Sequence, residues 1–401
     1  MTLDIIAFAL AGCGLGMFTG TVPGIHVNSA VAIIIPVLGV FNPYLTAAMI
    51  IAMAISHTIF DFVPSVLLGM PEGETALSVL PGHRMLMEGR GLEAIYLTVI
   101  GGTVVTCIAC VLLPLLIAVI PFFYQNIHSY IHFALAAIAS VVVLTEDGST
   151  QKIKAFICLS LSGALGYLVL NSYVLPSTVL FLPLFTGLFG LSTLIISLRS
   201  SCILPMQSRD FPRVRNTMAL VASAKALFSG VLVGTLPGIG ASQATVLTQQ
   251  LTKNKDQREF MISLGGINTV VALFSLVSLY TISKARSGAA VAVHALLPEF
   301  HAAELAMLAA VALLSAGVSS LVLMAAVKKM ISLFERIRYL WLTLFVIMFL
   351  VSLTVIFSGL FGLLVLVTST AIGMLAPLWG VKRSSLMGVL MIPLIIFYLG
   401  I

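Results

Sequence analysis

The sequence predicts an all-α polytopic membrane protein made of two inverted-topology repeats, each a broken helical hairpin plus about five transmembrane helices. Three observations lead to this fold class: the composition, the spacing of the charges and an internal duplication. Of the 401 residues, 60% are hydrophobic and only 8% are charged. Soluble proteins carry about 25% charged residues, so this chain lacks the charge to cover a surface in water. The composition therefore excludes a soluble fold.

The charged residues leave four long uncharged stretches. Asp, Glu, Lys and Arg are all missing between Asp4 and Asp61, Glu93 and Glu146, Lys154 and Arg199, and Arg338 and Lys382. Each stretch has room for about two membrane spans of about 20 residues. The net charge of +6 does not indicate nucleic-acid binding, because the basic residues sit in short loops between apolar runs rather than on one aqueous face.

The chain contains one segment twice. Residues 16–31 read GMFTGTVPGIHVNSAV and residues 230–245 read GVLVGTLPGIGASQAT, with seven identities in sixteen positions at an offset of 214. A second match, at an offset of 207, pairs Ala164-Leu165-Gly166 with Ala371-Ile372-Gly373. These matches divide the chain into repeat 1 (residues 1–198), a basic linker (199–215) and repeat 2 (216–401).

The apolar runs predict the elements of each repeat in order. Repeat 1 has a broken hairpin at about 4–40 and spans near 45–68, 92–118, 129–145, 153–170 and 176–198. Repeat 2 has a broken hairpin at about 217–252 and spans near 260–282, 303–327, 339–357, 360–380 and 384–401. The segments between these spans, including 121–128 and 328–338, are predicted as connections.

The basic residues predict the orientation, because cytoplasmic loops are enriched in Lys and Arg. Placing every basic loop in the cytoplasm accounts for seventeen of the twenty Lys and Arg residues, with Lys225 in a helix and Lys284 and Arg286 outside. This assignment requires that the repeats have opposite topology and that each crosses the membrane an odd number of times. We therefore expect a multi-pass protein of the cell membrane, with both termini outside and the linker cytoplasmic. Inverted repeats are typical of secondary transporters.

Each repeat opens with an apolar segment that proline and glycine interrupt. Pro lacks a backbone donor and Gly allows positive φ, so we expect the helices to stop near Val22–Gly24 and Leu236–Gly238. A small polar residue then begins the next helix, whose free N–H groups can bind an anion. The alternative is that the glycines only permit close helix packing. The predicted substrate-binding residues here are Gly20, Thr21, Pro23, Gly24, Asn28, Ser29, Gly234, Thr235, Pro237, Gly238, Gly240, Ser242 and Gln243.

Several ionisable side chains are predicted at membrane depth, where such residues are functional candidates. Asp61 ends a long uncharged run and His57 lies one helical turn before it. Glu72 and Glu74 lie in a second break, and Lys284 and Arg286 lie at the equivalent break of repeat 2. We expect the first four to form a coupling-ion site or gate and the two cations to add charge to the anion site. A structural salt bridge is the alternative. No cofactor is expected apart from a coupling Na⁺ or H⁺.

These motifs resemble the large membrane subunit of tripartite tricarboxylate transporters, the TctA family, and the chain looks like a compact archaeal member. The resemblance rests on the paired G-x-x-x-G-x-x-P-G-I motif at Gly16–Ile25 and Gly230–Ile239. The segments Gly69–Ala76, Pro81–Met85, Leu182–Leu191 and Lys382–Leu399 support it. The resemblance implies cation-coupled uptake of di- or tricarboxylates, usually with a small membrane subunit and an extracytoplasmic solute-binding protein.

The leading functional hypothesis is a secondary active transporter for a small organic anion. A polyprenyl-phosphate or lipid-phosphate translocase is the second hypothesis, because such carriers also use inverted hairpin repeats and bind a phosphate head group. An intramembrane enzyme would need a nucleophile–base pair or a metal triad in register, and the sequence has neither pattern. The sequence leaves a homodimer open.

Overall fold

A computed structural model describes residues 2–22, 41–68, 79–127, 130–198, 205–235, 244, 256–335 and 339–400. Throughout these ranges the regular elements are helices. Nine helical segments of the described chain are long and apolar enough to cross a membrane. The chain is therefore an all-helical, multi-pass membrane protein, which confirms the class that the composition predicts.

The described helices of the first half are α1 (Thr2–Thr21), α2 (Pro43–Phe60), α3 (Phe62–Leu68), α4 (Val79–Met87), α5 (Gly91–Val111), α6 (Leu113–Ile127), α7 (Ile131–Leu144), α8 (Ser149–Leu170), α9 (Ser177–Phe185), a π-helical turn (Thr186–Leu191) and α10 (Ser192–Leu198). Those of the second half are α11 (Asn216–Thr235), α12 (Gln257–Ile282), α13 (Gly288–Leu296), α14 (Ala302–Glu335), α15 (Tyr339–Trp379), a 3₁₀ turn (Arg383–Met387) and α16 (Gly388–Leu399).

Three predicted boundaries are wrong. The span predicted at 92–118 is interrupted at Leu112, because Pro114 has no N–H to continue the helical hydrogen bonds. The connection predicted at 121–128 is mostly helical, since α6 continues through Pro121 to Ile127. The connection predicted at 328–338 is also helical as far as Glu335, and its lysines are good helix formers. The two spans predicted on either side of Gly359 form one element, α15, bent where Gly359 has φ 59°.

Helices α2 and α12 lie at the centre of the described structure. Both are 94% buried over their most apolar windows, more than any other described span. Helix α2 packs against α1, α13 and α14, and α12 packs against α5 and α11. At Gly101 of α5 and Gly265 of α12, an added Cβ would overlap the facing backbone carbonyl. The backbones of these two helices therefore meet directly, which joins the two halves of the chain.

The packing of α1 on α2 recurs in the packing of α11 on α12. A Cβ at Gly20 would lie 2.9 Å from the Cβ of Phe60, and one at Gly234 would lie 3.2 Å from the Cβ of Phe274. Phe60 and Phe274 are separated by the same 214 residues as the two glycines. In the same way, Gly16 faces Ser56, and Gly230 faces Val270, which is the residue 214 positions after Ser56. The repeated motif therefore makes a repeated contact.

A second set of paired contacts joins the C-terminal parts of the two halves. Gly166 of α8 faces the backbone of Val389 in α16, and Gly373 of α15 faces the backbone of Leu188. Similarly, Gly187 faces Ser369 of α15, and Gly388 faces Ser162 of α8. In each pair the same contact occurs twice with the roles of the halves exchanged. A two-fold relation between like units produces contacts of this kind.

The described part of the linker, residues 205–215, is tied to both halves. Gln207 Oε1 accepts from the Gly91 N–H at 2.9 Å, and Gln207 Nε2 donates to the Leu86 carbonyl at 2.9 Å. Arg209 donates to the Lys328 carbonyl of α14 at 3.1 Å. At this same end, Glu93 of α5 pairs with both Arg90 and Arg258, the latter at the start of α12. Four of the predicted cytoplasmic segments therefore meet at one end of the structure.

Candidate functional site

The structure describes only part of the two predicted Pro-Gly breaks. Helix α1 ends at Thr21, and the Thr21 hydroxyl donates to the Met17 carbonyl at 2.9 Å. The described part of α11 runs to Thr235, and Ser278 of α12 donates to the Gly234 carbonyl at 2.7 Å. The other predicted residues at these breaks lie outside the described residues: Pro23, Gly24, Asn28, Ser29, Pro237, Gly238, Gly240, Ser242 and Gln243. Glu72 and Glu74 also lie outside them.

His57 and Asp61 are each only 2% exposed. His57 is in the last turn of α2, and its Nδ1 lies 3.0 Å from the Thr19 hydroxyl of α1. Asp61 stands at the junction of α2 and α3, where its N–H donates to the His57 carbonyl at 2.9 Å. Burying a polar or charged group costs free energy unless hydrogen bonds compensate. The pair predicted from the sequence is therefore held inside the helix bundle by specific polar contacts.

Asn268 of α12 is the partner that the structure adds to this pair. Its Nδ2 donates to Asp61 Oδ2 at 3.0 Å and to the Thr58 carbonyl at 3.3 Å. Asn268 is itself 2% exposed and lies near the middle of α12. The sequence analysis missed it, although a lone amide within a long apolar span is a signal that it could have used. The carboxylate of the first half is thus bound by an amide of the second half.

The second predicted break of repeat 2 is present between α12 and α13. Ser283 ends α12 in the left-handed conformation with φ 52°, and the chain turns back beside that helix. The Arg286 N–H then donates to the Ser275 hydroxyl at 2.8 Å. Ser287 caps the start of α13, accepting from the Ala290 N–H at 3.2 Å. This turn places the first N–H groups of α13 beside Arg286.

The two predicted cations differ in their surroundings. Arg286 is half-buried, and its guanidinium lies 5.6 Å from the centre of the Tyr124 ring of α6, whereas the side chain of Lys284 is exposed. The printed contacts place Arg286 with Ser275 and Tyr124, and Asp61 with Asn268. Asn268 and Ser275 are about 10 Å apart along α12, at 1.5 Å per residue. The ionisable residues therefore form two clusters along one helix rather than one salt bridge.

The two halves carry different chemistry at equivalent positions. Ser275 lies 214 residues after Asp61, and Val271 lies 214 residues after His57. Repeat 1 thus has an acid and an imidazole where repeat 2 has a hydroxyl and an aliphatic side chain. Across the described residues, no group of three His, Cys, Asp or Glu side chains is arranged to hold a metal ion.

His83 is a further buried ionisable residue that the sequence analysis did not assign to a site. Its Nδ1 lies 3.1 Å from the Val66 carbonyl of α3. Burial lowers the pKa of His83, and the hydrogen bond to Val66 opposes that shift only in part. His83 therefore favours its neutral form and links α4 to the end of α3.

Comparison with known proteins identifies the family. The model of the tripartite tricarboxylate transporter TctA family matches residues 6–388. An uncharacterized protein of Methanocaldococcus jannaschii is 30% identical over 412 aligned positions, covering 98% of this chain and 99% of that protein. An uncharacterized 52.8 kDa protein in the TAR-I ttuC' 3' region of Agrobacterium vitis is 21% identical over 66% of this chain and 56% of its own length. No solved structure matches the chain significantly. The chain belongs to the TctA family, a family of membrane transporter components rather than enzymes.

Proposed function

We propose that the protein is a secondary active permease that takes up a small organic anion, such as a di- or tricarboxylate, together with H⁺ or Na⁺. Membership of the TctA family over nearly the whole chain is the observation that carries this proposal. The family also suggests two partners, a small membrane subunit and an extracytoplasmic solute-binding protein. A homodimer is compatible with the same function.

In this proposal the halves at 1–198 and 216–401 are inverted repeats joined by a cytoplasmic linker. The recurrent glycine contacts and the exchanged contacts of the C-terminal helices support the duplication. The gathering of Arg90, Gln207, Arg258 and Lys328 near one end of α12 supports a common cytoplasmic face. Arg286 follows the opposite end of α12, which agrees with a position nearer the outer face and with both termini outside.

The anion site is proposed at the helix starts that follow the paired Pro-Gly motifs, with charge supplied by Arg286 and Lys284. Helix starts carry unpaired N–H groups and a fractional positive charge, both of which favour an anion. The half-buried guanidinium of Arg286 and the adjacent start of α13 support this assignment. Asp61 and His57 are proposed to bind the coupling cation, because a buried carboxylate in a membrane span is costly without a functional role.

The test is uptake of labelled carboxylates into proteoliposomes under an imposed proton or sodium gradient. Arg286→Ala should raise the KM for the anion by about tenfold or more, as expected when a charged contact is lost. Arg213→Ala, which removes an exposed cation of the linker, is the matched control. Gradient-independent uptake, or unchanged uptake by both Gly24→Leu and Gly238→Leu, would show that the assignment is wrong.

The lipid-phosphate alternative is tested by binding. A thermal-shift screen of the purified protein against carboxylates and prenyl phosphates should show selective stabilisation by a carboxylate, because ligands that bind only the folded state raise its apparent stability. Stabilisation by prenyl phosphates alone would favour the translocase.

A further inference from the structure

We infer that Asn268 is the positioning residue for Asp61 and sets the affinity of that carboxylate for the coupling cation. This inference rests on the proposed function, in which Asp61 binds the cation. It adds a residue of the second half to a site that the sequence places wholly in the first half. The juxtaposition that carries it is the Asn268 amide lying between Asp61 Oδ2 and the Thr58 carbonyl.

The geometry fixes the carboxylate from across the interface between the halves. The Asn268 amide reaches two acceptors, at 3.0 Å on Asp61 and 3.3 Å on Thr58, and both acceptors belong to the junction that follows α2. Asn268 and Asp61 are each 2% exposed, so water screens this hydrogen bond little. Asp61 therefore has its orientation set by a helix of the other half.

A hydrogen bond donated to a carboxylate stabilises its negative charge and is stronger than one between neutral groups. A cation that binds Asp61 must share or displace this donor, so removing the donor changes the cation affinity. The amide also carries an oxygen, which is the ligand type that hard cations prefer. Asn268 can thus oppose or complete a cation site with the same side chain.

Asn268 also links the two clusters of the candidate site. It lies on α12, and Ser275, which holds the Arg286 N–H, lies about 10 Å further along that helix. A rigid helix with Asn268 at one cluster and Ser275 at the other connects cation occupancy at Asp61 to the position of Arg286. Cotransport requires such a connection between two different ligands.

The experiment compares Asn268→Ala with Ser319→Ala. Ser319 of α14 donates to Ser56 of α2 at 2.6 Å, so its loss also removes a buried hydrogen bond between the halves without touching Asp61. Uptake is measured in proteoliposomes while Na⁺ is varied at fixed pH, and while pH is varied without Na⁺. The two series distinguish sodium from the proton as the cation.

Asn268→Ala should shift the cation concentration for half-maximal uptake by about tenfold, the size expected for one charge-assisted hydrogen bond. The KM for the anion at saturating cation should change less than about twofold. Ser319→Ala should change neither quantity beyond about twofold. An unchanged cation dependence in Asn268→Ala, or an equal effect of the two variants, overturns the inference.

Two further measurements cover misfolding and failure of the transport assay. Asn268→Gln keeps the amide but displaces it by one methylene, so a folded protein with wild-type cation dependence also contradicts the inference. Thermal unfolding of the wild type with Na⁺ or at varied pH needs no substrate. Cation-dependent stabilisation that Asn268→Ala loses supports the inference even if no carboxylate is transported, and its absence in the wild type overturns it.

Discussion

The pair α1–α2 and the pair α11–α12 share their packing but not their polar residues. In both pairs two glycines of the outer helix face equivalent residues of the inner one, such as Phe60 and Phe274. The inner helix of the first pair leads to a buried histidine and aspartate, and the second has Val271 and Ser275 at those positions. Backbone contact constrains both copies equally, whereas the ionisable groups are confined to one. The comparison separates the residues that build the fold from those that give it a function.

The largest expected effect is the difference between Asp61 and its counterpart Ser275. Asp61→Asn should reduce gradient-driven uptake by about a hundredfold or more, because it removes the charge that binds the cation. Ser275→Ala should reduce uptake less than about tenfold, since it removes one hydrogen bond to the Arg286 N–H. Initial rates of labelled-substrate uptake at equal protein density measure both. Equal losses would contradict the division of chemistry between the halves.

The exchanged contacts predict equal effects in the C-terminal helices. Gly166→Ala and Gly373→Ala each place a Cβ against a backbone carbonyl of the other half. We expect each to cost about 3 kcal/mol, the upper range for overpacking, because a backbone cannot move aside as a side chain can. Thermal unfolding of the detergent-purified variants measures the loss. If only one of the two is destabilised, the contacts are not equivalent.

The glycines of the repeated motif should differ in degree. An added Cβ at Gly16 would lie 2.9 Å from the His57 backbone nitrogen and overlap the Met53 carbonyl, whereas at Gly230 it would lie 2.6 Å from the edge of the Phe274 ring. Because a ring can shift, Gly16→Ala should cost about 3 kcal/mol and Gly230→Ala about 1 kcal/mol. The same unfolding measurement tests this order. A larger cost at Gly230 would refute the explanation from backbone contact.

The smallest expected effect concerns His83, which has no described counterpart in the second half. Because burial lowers its pKa, the unfolded chain binds a proton at His83 more readily than the folded protein does. This contribution is complete above the ordinary histidine pKa of about 6.5, and stability falls as the pH drops below that value. Thermal unfolding between pH 7.5 and pH 5 should show a steeper decline for the wild type than for His83→Gln. Parallel curves would exclude this role.

Much of the fold could be predicted from the sequence because the bilayer imposes simple rules of length and polarity. Long apolar runs predicted most of the described spans, and the glycine motif indicated where helices approach closely. The break at Leu112 and the helix through Pro121 depend on how single prolines are accommodated, which hydropathy does not report. Asn268 escaped because its role depends on which helix of the other half faces it. Charge predicted Asp61 as a candidate, but only packing brings its partner to it.

The exchanged glycine contacts have a consequence for how such a chain can diversify. A polypeptide consisting of one half alone would leave Gly166 and Gly187 facing lipid, and a second identical copy would be the natural way to cover them. Fusion through the linker supplies that companion at a fixed ratio of one to one. Each half is then free to mutate independently, so that an acid can persist on one side while its counterpart becomes a hydroxyl.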